Sequence, residues 1–205
     1  SSTSRGLGDV YKRQIVNRVW MEHFGEPLVA TPSDFGTRAA APAQVELLDW
    51  LAANLMRDGW SLKSLHRSLV TTRLYQASAT ASGSTRTADP ENRWLTHGAR
   101  RRLDWEAMRD TLLAVSGRLE HRGAGRPIDV AQDPAARVRT VYGLVDRQSL
   151  PGVFRAFDFA TPDQSVERRP RTMVPQQALF ALNSPFMIEQ ARSLVARPEL
   201  AGDAP

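Results

Sequence analysis

The chain has 205 residues, a formal charge of +5, five tryptophans and no cysteine. The missing cysteine excludes disulfides, thiolate nucleophiles, Cys-ligated zinc and C-x-x-C-H haem attachment within it, and no run nears the roughly 18 consecutive apolar residues of a membrane span, so none is expected. The positive charge is a weak argument for nucleic acid. Lys12 and Lys63 are the only lysines, arginines are spread throughout, and the clusters Arg100-Arg101-Arg102 and Arg168-Arg169-Pro170-Arg171 lack the interleaved aromatics that stack bases.

Ser1 to Gln14 (SSTSRGLGDVYKRQ) is polar and has no apolar period. Without an apolar core or a small-residue cleavage site it is no signal peptide, and it reads as a translated adapter remnant of metagenomic assembly, set apart as residues 1–14. Any targeting signal is then expected to lie outside the chain. Ile15 to Phe24 places Val16, Val19, Trp20 and Phe24 on one helical face, with Gly25 as a left-handed stop. Residues 26–42 carry three prolines and Gly36 and read as an ordered loop packed down through Leu28, Val29 and Phe35. Ala43 to Arg57 is the clearest helix, with Val45, Leu48, Leu51, Ala52 and Leu55 facing inward and Gly59 ending it. Ser61 caps a second helix running to Tyr75, with Leu62, Leu65, Leu69 and Val70 inward, so the two form a helical hairpin.

Gln76 to Ala88 is small and polar and reads as a mobile loop tip, and Asp89-Pro90 as the start of a short helix to Leu95. Arg101 to Leu119 is helical, burying Trp105, Met108, Leu112, Leu113 and Val115 up to Gly117. A loop at 121–136 precedes Arg137 to Arg147, whose alternation through Val138, Thr140, Tyr142 and Leu144 predicts a strand pairing with Leu28-Val29 or Ile128–Val130. Short helices follow at Ser149–Phe157 and Val174–Leu182, then a helix capped by Ser184-Pro185 and running to Ala196, and a frayed tail at 198–205. The expected fold is mainly α: an irregular multi-helix bundle with long ordered loops and at most one short β-strand pair, in a single domain over residues 15–197.

Four side chains are candidates for catalysis. Asp158 and Asp163 flank Pro162 on one loop, and two carboxylates folded to within about 5–10 Å could share acid and base roles on a glycosidic bond. Calcium binding or ion pairing with Arg168, Arg169 and Arg171 are the alternatives. His66 sits on a helix flank, suited to a base or to a hydrogen-bonded structural role. Asp34 opens Asp34-Phe35-Gly36, which has the letters of a kinase magnesium motif but none of its companions, so a turn is expected there. The four histidines show no metal-ligand spacing, and no metal is expected. Candidate binding residues are Asn17 and Arg18, Arg169, and the amides Gln176, Gln177 and Asn183, set in an apolar segment that would suit a sugar or peptide. If a site exists, it is expected where Asn17-Arg18, the Asp34 loop, the Asp158–Asp163 loop and Gln176-Gln177 converge.

Several strings together carry a resemblance: NRVW at 17–20, HFG at 23–25, PLVATPSDFG at 27–36, ELLDWLA at 46–52, GWSLKSLHR at 59–67, RRLDWEAMRD at 101–110, LPGVFRAFDFATPD at 150–163 and TMVPQQALFALNSPF at 172–186. The chain resembles the domain-of-unknown-function 1553 family, a planctomycete-specific domain in the C-terminal part of cytochrome-c-like multidomain proteins. The resemblance implies upstream domains of the same polypeptide, one of them holding haem c, with no cofactor in this segment, and a periplasmic or cell-surface location. It implies a link to polysaccharide breakdown by association alone. The family pattern has His-Pro before ELLDWLA, where this chain has Gln44-Val45, and a histidine after Pro162-Asp163, where it has Ser165. The leading expectation is an accessory or interaction module. The alternative is a hydrolase or lyase acting on sulfated polysaccharide through Asp158, Asp163 or Asp34 with His66 and Arg169, and the sequence leaves open whether the chain is an enzyme.

Overall fold

A computed structural model describes residues 2–35, 42–121 and 125–200, and its backbone clusters into two compact units, Ser1–Arg101 and Arg102–Pro205. Residues 36–41, 122–124 and 201–205, which take in Gly36, the start of the 121–136 loop and the end of the tail, lie outside the described residues. The first unit holds α1 (Ser2–Phe24), α2 (Val45–Arg57), α3 (Leu62–Val70) and α4 (Gly83–Ala88). The second holds α5 (Trp105–Val115), a 3-10 turn (Thr140–Tyr142), α6 (Gly152–Ala156), α7 (Pro175–Asn183) and α8 (Pro185–Val195). Among the described residues the only β pairing is two isolated parallel bridges, Glu120 with Val138 and Ile128 with Gly143, so the fold is mainly α as expected.

In the first unit the predicted apolar face of α1 is buried: Val16, Trp20 and Phe24 pack with Val29, with Leu48, Leu51, Ala52 and Leu55 of α2, and with Leu65 and Leu69 of α3. Each fully buried leucine contributes roughly 2 kcal/mol. α1 begins at Ser2, so the polar leader continues the helix, and Arg13 pairs with Asp49 of α2 at 2.6 Å. α2 closes in a Schellman motif. Trp60 donates its amide to the Leu55 carbonyl at 2.8 Å and Gly59, at φ 65°, donates to Met56 at 3.1 Å. Ser61 caps α3 by accepting the Ser64 amide.

Four local expectations need correction. α3 stops at Val70 because the Thr71 hydroxyl bonds the Arg67 carbonyl and the Thr72 hydroxyl bonds Leu69 and receives the Tyr75 amide, satisfying backbone groups that a longer helix would use. The stretch 76–88 contains helix α4, begun by the Ser82 hydroxyl accepting the Thr85 amide. Asp89 does not start a helix: its carboxylate accepts the amides of Arg93 and Trp94, both at 2.8 Å, fixing a turn. Val45, Leu62 and Val115 were expected inward and are exposed, since they lie at the ends of their helices.

The predicted strand at 137–147 forms only the two bridges, and of its two expected partners Ile128 is the one that pairs. Its middle is a 3-10 turn begun by Asp110 of α5, whose Oδ1 accepts both the amide and the hydroxyl of Thr140 at 2.7 Å. The carbonyls that a neighbouring strand would engage are taken by the buried Arg109, which donates to Ala136 and to Val138, the latter at 2.8 Å. The second core forms around this turn from Trp105, Val130, Ala136, Val138, Phe154 and Phe157, with the Trp105 and Phe154 rings edge to face at 4.7 Å.

Candidate functional site

Asp158 follows α6 in a left-handed conformation, φ 59°, which aspartate adopts more readily than most residues. Its side chain is 9% exposed and meets Arg102 Nη2 at 2.7 Å. It also accepts the Thr172 amide at 2.8 Å and the Thr172 hydroxyl at 2.6 Å. Burial pushes this carboxyl upward, but the two Thr172 bonds and the Arg102 guanidinium outweigh it and leave its pKa below the ordinary aspartate value. Gln177 completes the cluster, donating to the Ala156 carbonyl at 2.7 Å and the Thr172 carbonyl at 3.1 Å, while Arg102 Nη1 reaches Gln177 Oε1 and the Thr172 carbonyl. The arrangement closes the base of the loop 159–171. An ionised carboxylate with its oxygens already bonded is built to hold that loop.

The remaining second-unit candidates surround this cluster without joining it. Asp163 is exposed on the loop, whereas the Asp158 carboxylate is engaged by Thr172 and Arg102. Asp158 is paired, as one reading expected, but with Arg102, 56 residues away in sequence, instead of the adjacent Arg169. Arg169 pairs with Glu106 of α5 at 2.8 Å and lies over the Phe159 ring at 4.7 Å, pinning the far side of the same loop. Gln176 and Asn183 are exposed and line an open groove of about 480 Å³ between α6 and α7, whose apolar wall includes Val153, Phe157, Leu179 and Phe180.

In the first unit Asn17 is fully buried and brackets Val29, donating to its carbonyl at 3.0 Å and accepting its amide at 2.9 Å. This pins the loop after α1 to the helix; Arg18, next to it, is exposed. Asp34 is exposed in a turn whose Thr31 hydroxyl donates to the Asp34 carbonyl at 2.7 Å, and Phe35 packs on the core, as the turn reading expected. His66 is exposed and its Nδ1 stands 2.7 Å from Nε2 of His23 on α1, a contact no spacing in the sequence signals. The His23 ring packs edge to face on Tyr75. Burial, then the His66 and Arg101 charges, lower the His23 pKa below the usual histidine value. Thus Asn17, Arg18, Asp34 and His66 belong to the first unit, and Asp158, Asp163, Arg169, Gln176, Gln177 and Asn183 to the second. Sequence reasoning missed His23, Arg102, Arg109 and Thr172.

Among the described residues no group of three or more His, Asp or Glu side chains gathers to hold a metal ion, and no helix is long and apolar enough to cross a membrane. What fold and site define together is a helical, loop-rich module whose polar side chains mostly fasten loops to helices. The family model described as PSD1, protein of unknown function (DUF1553), matches residues 8–202, and the chain belongs to that family. No curated protein and no solved structure matches it.

Proposed function

We propose that the chain is an accessory docking module, and that the groove between α6 and α7 seats a segment from another domain of the polypeptide that carries it. The observation that carries this reading is α7 itself. It is an apolar helix with no buried residue, Leu179 being 56% and Leu182 73% exposed, and Met173 just before it is 92% exposed. Uncovered apolar area of this kind marks interaction sites, and each leucine covered by a partner contributes about 1.5–3 kcal/mol. The exposed amides of Gln176 and Asn183 border the groove and supply directional bonds at its edge.

Hydrogen exchange on the full polypeptide and on the isolated chain tests this. Amides over 173–183 are expected to gain protection in the full polypeptide, and Leu179→Asp with Leu182→Asp to remove the gain without unfolding the chain. Identical exchange in both settings sinks the reading. By resemblance, that polypeptide is exported, carries haem c upstream and serves polysaccharide breakdown. A signal peptide and a C-x-x-C-H motif in the upstream reading frame are the expected result, and a cytosolic enzyme domain there is the contrary one. The competing reading, polysaccharide hydrolysis or elimination, predicts that Asp158→Asn and Asp163→Asn abolish turnover of sulfated glycans. Asp158 is poorly placed for it, since its carboxylate already accepts three hydrogen bonds.

A further inference from the structure

The turn that joins α2 to α3 is exposed along residues 56–60, and Leu62 and Lys63 at the start of α3 are exposed as well. Three of these side chains are large and apolar: Met56 is 41%, Trp60 47% and Leu62 48% exposed. Arg57 and Lys63 beside them are cationic, and the exposed Arg67 lies one turn along the same face of α3 as Lys63. Asp58 is the one carboxylate in the sequence from Met56 to Arg67. The Schellman motif calls for a left-handed residue at Gly59, and Trp60 follows it at φ 63°, left-handed again. That region suits glycine or asparagine and is an outlier for a bulky side chain. Backbone preference therefore argues against tryptophan at this position, and strain of this kind collects where a side chain serves a function. The turn is nonetheless firmly held, since the Gly59 and Trp60 amides bond the Met56 and Leu55 carbonyls and the Ser61 hydroxyl accepts the Ser64 amide. The space beside Gly59 is open, as at a projecting tip.

We propose that this turn is a peripheral membrane-docking tip, which sets Trp60, Met56 and Leu62 into the headgroup boundary of an anionic lipid surface while Arg57, Lys63 and Arg67 meet the headgroups. Tryptophan favours that boundary, because its ring is apolar and its indole N–H is polar. Binding of this kind grows with the apolar area inserted and with the attraction of basic side chains to anionic lipid. Arg57, Lys63 and Arg67 against the single Asp58 supply the complementary charge. A sulfated polysaccharide would also be drawn to the cations, but a sugar site needs placed hydrogen-bonding groups around its aromatic ring, and Met56 and Leu62 offer hydrocarbon. A tip already fixed by its own hydrogen bonds loses little conformational freedom on docking. The turn belongs to the first unit, and the inference does not rest on the groove between α6 and α7.

The test is flotation of the whole chain with vesicles of phosphatidylcholine containing about one-third phosphatidylglycerol, with pure phosphatidylcholine vesicles and dextran sulfate as comparators. The chain is expected to float with the anionic vesicles and far less with the neutral ones, and brominated lipid should quench part of its tryptophan emission. Trp60→Asn suits the left-handed backbone and removes the ring. It should weaken vesicle binding about tenfold and remove most of the quenching. Lys63→Gln should weaken binding about fivefold, the share of one basic side chain at such a surface. The proposal is overturned if the chain does not float with anionic vesicles, if neutral vesicles or dextran sulfate bind it as well, or if Trp60→Asn leaves affinity and quenching unchanged. Should that variant fail to fold, Lys63→Gln decides, and an unaltered affinity there overturns the proposal equally.

Discussion

Replacing Arg109 by methionine isolates what the buried guanidinium does for the second unit, because methionine retains the unbranched stem and its volume while deleting every donor. Two buried carbonyls, Ala136 and Val138, then lose their partner, and the Thr140 hydroxyl keeps only Asp110. Unsatisfied buried acceptors cost about 1–3 kcal/mol each, and the relief of no longer burying a cation offsets part of that, giving an expected net loss of about 2–4 kcal/mol. For a unit of this size a 3 kcal/mol loss lowers Tm by roughly 12–24 °C. Lysine should rescue little, since a point charge cannot fork to three acceptors. The contact with Phe186, 5.3 Å from the guanidinium carbon to the ring centre, is lost as well. Urea unfolding at neutral pH measures the loss, and exchange at the Thr140, Tyr142 and Gly143 amides locates it. Those amides should exchange faster if Arg109 holds the 3-10 turn. A change under 0.5 kcal/mol with unaltered exchange would show that the side chain only fills space.

Three further predictions concern the loop fasteners and the histidine pair. Asn17→Ala removes both bonds to Val29 and should cost about 2–4 kcal/mol, with the Val29 amide becoming exchangeable well before the rest of α1; native-state hydrogen exchange reads both. Asp158 has a pKa below its unfolded value, so its contribution is full above about pH 4 and is lost as pH falls through the lower folded value. Asp158→Asn should flatten that part of an acid-unfolding profile. His23 is also shifted down, which for a histidine means that the unfolded chain takes up the proton first, so stability falls as pH drops below about 6.5. His23→Gln should abolish that slope in a series of melts from pH 7.5 to 5, and an unchanged slope would assign it to another group.

Much of the helical scaffold was legible because it follows from period and punctuation. The apolar spacing in Ala43–Arg57 and the stops at Gly25, Gly59 and Gly117 each need only a few neighbouring residues to act, and the structure places a left-handed glycine at all three. The strand at 137–147 was misread for the complementary reason. Alternation records which side chains face inward, and Val138 and Thr140 do, but it carries no information on what bonds the backbone between them. That was decided by Arg109 and Asp110, which approach from about 30 residues earlier on α5. The helices at 71–75 and 89–95 failed because Thr71, Thr72 and Asp89 turned their side chains onto local backbone, a competition that propensity summed over a window does not register.

The candidate site was less legible, and the reason is specific to a fold poor in strands. Long connections without a sheet leave many amides and carbonyls that must still be bonded. Here Asn17 serves Val29, Asp158 and Gln177 serve Thr172 and Ala156, and Arg109 serves Ala136 and Val138. A buried or half-buried amide or carboxylate in such a sequence therefore looks like a ligand-binding group while its chemistry is consumed by the chain itself. Neighbourhood in sequence misleads further, since Asp158 takes Arg102, 56 residues away, while Arg169 takes Glu106. The useful indicators are the opposite ones: apolar side chains that nothing among the described residues covers, as on α7, and buried donors for which the described residues hold no acceptor, as at Trp105 Nε1 and Arg109 Nε. Neither can be read from residue type, because each is defined by what the rest of the fold leaves unmet.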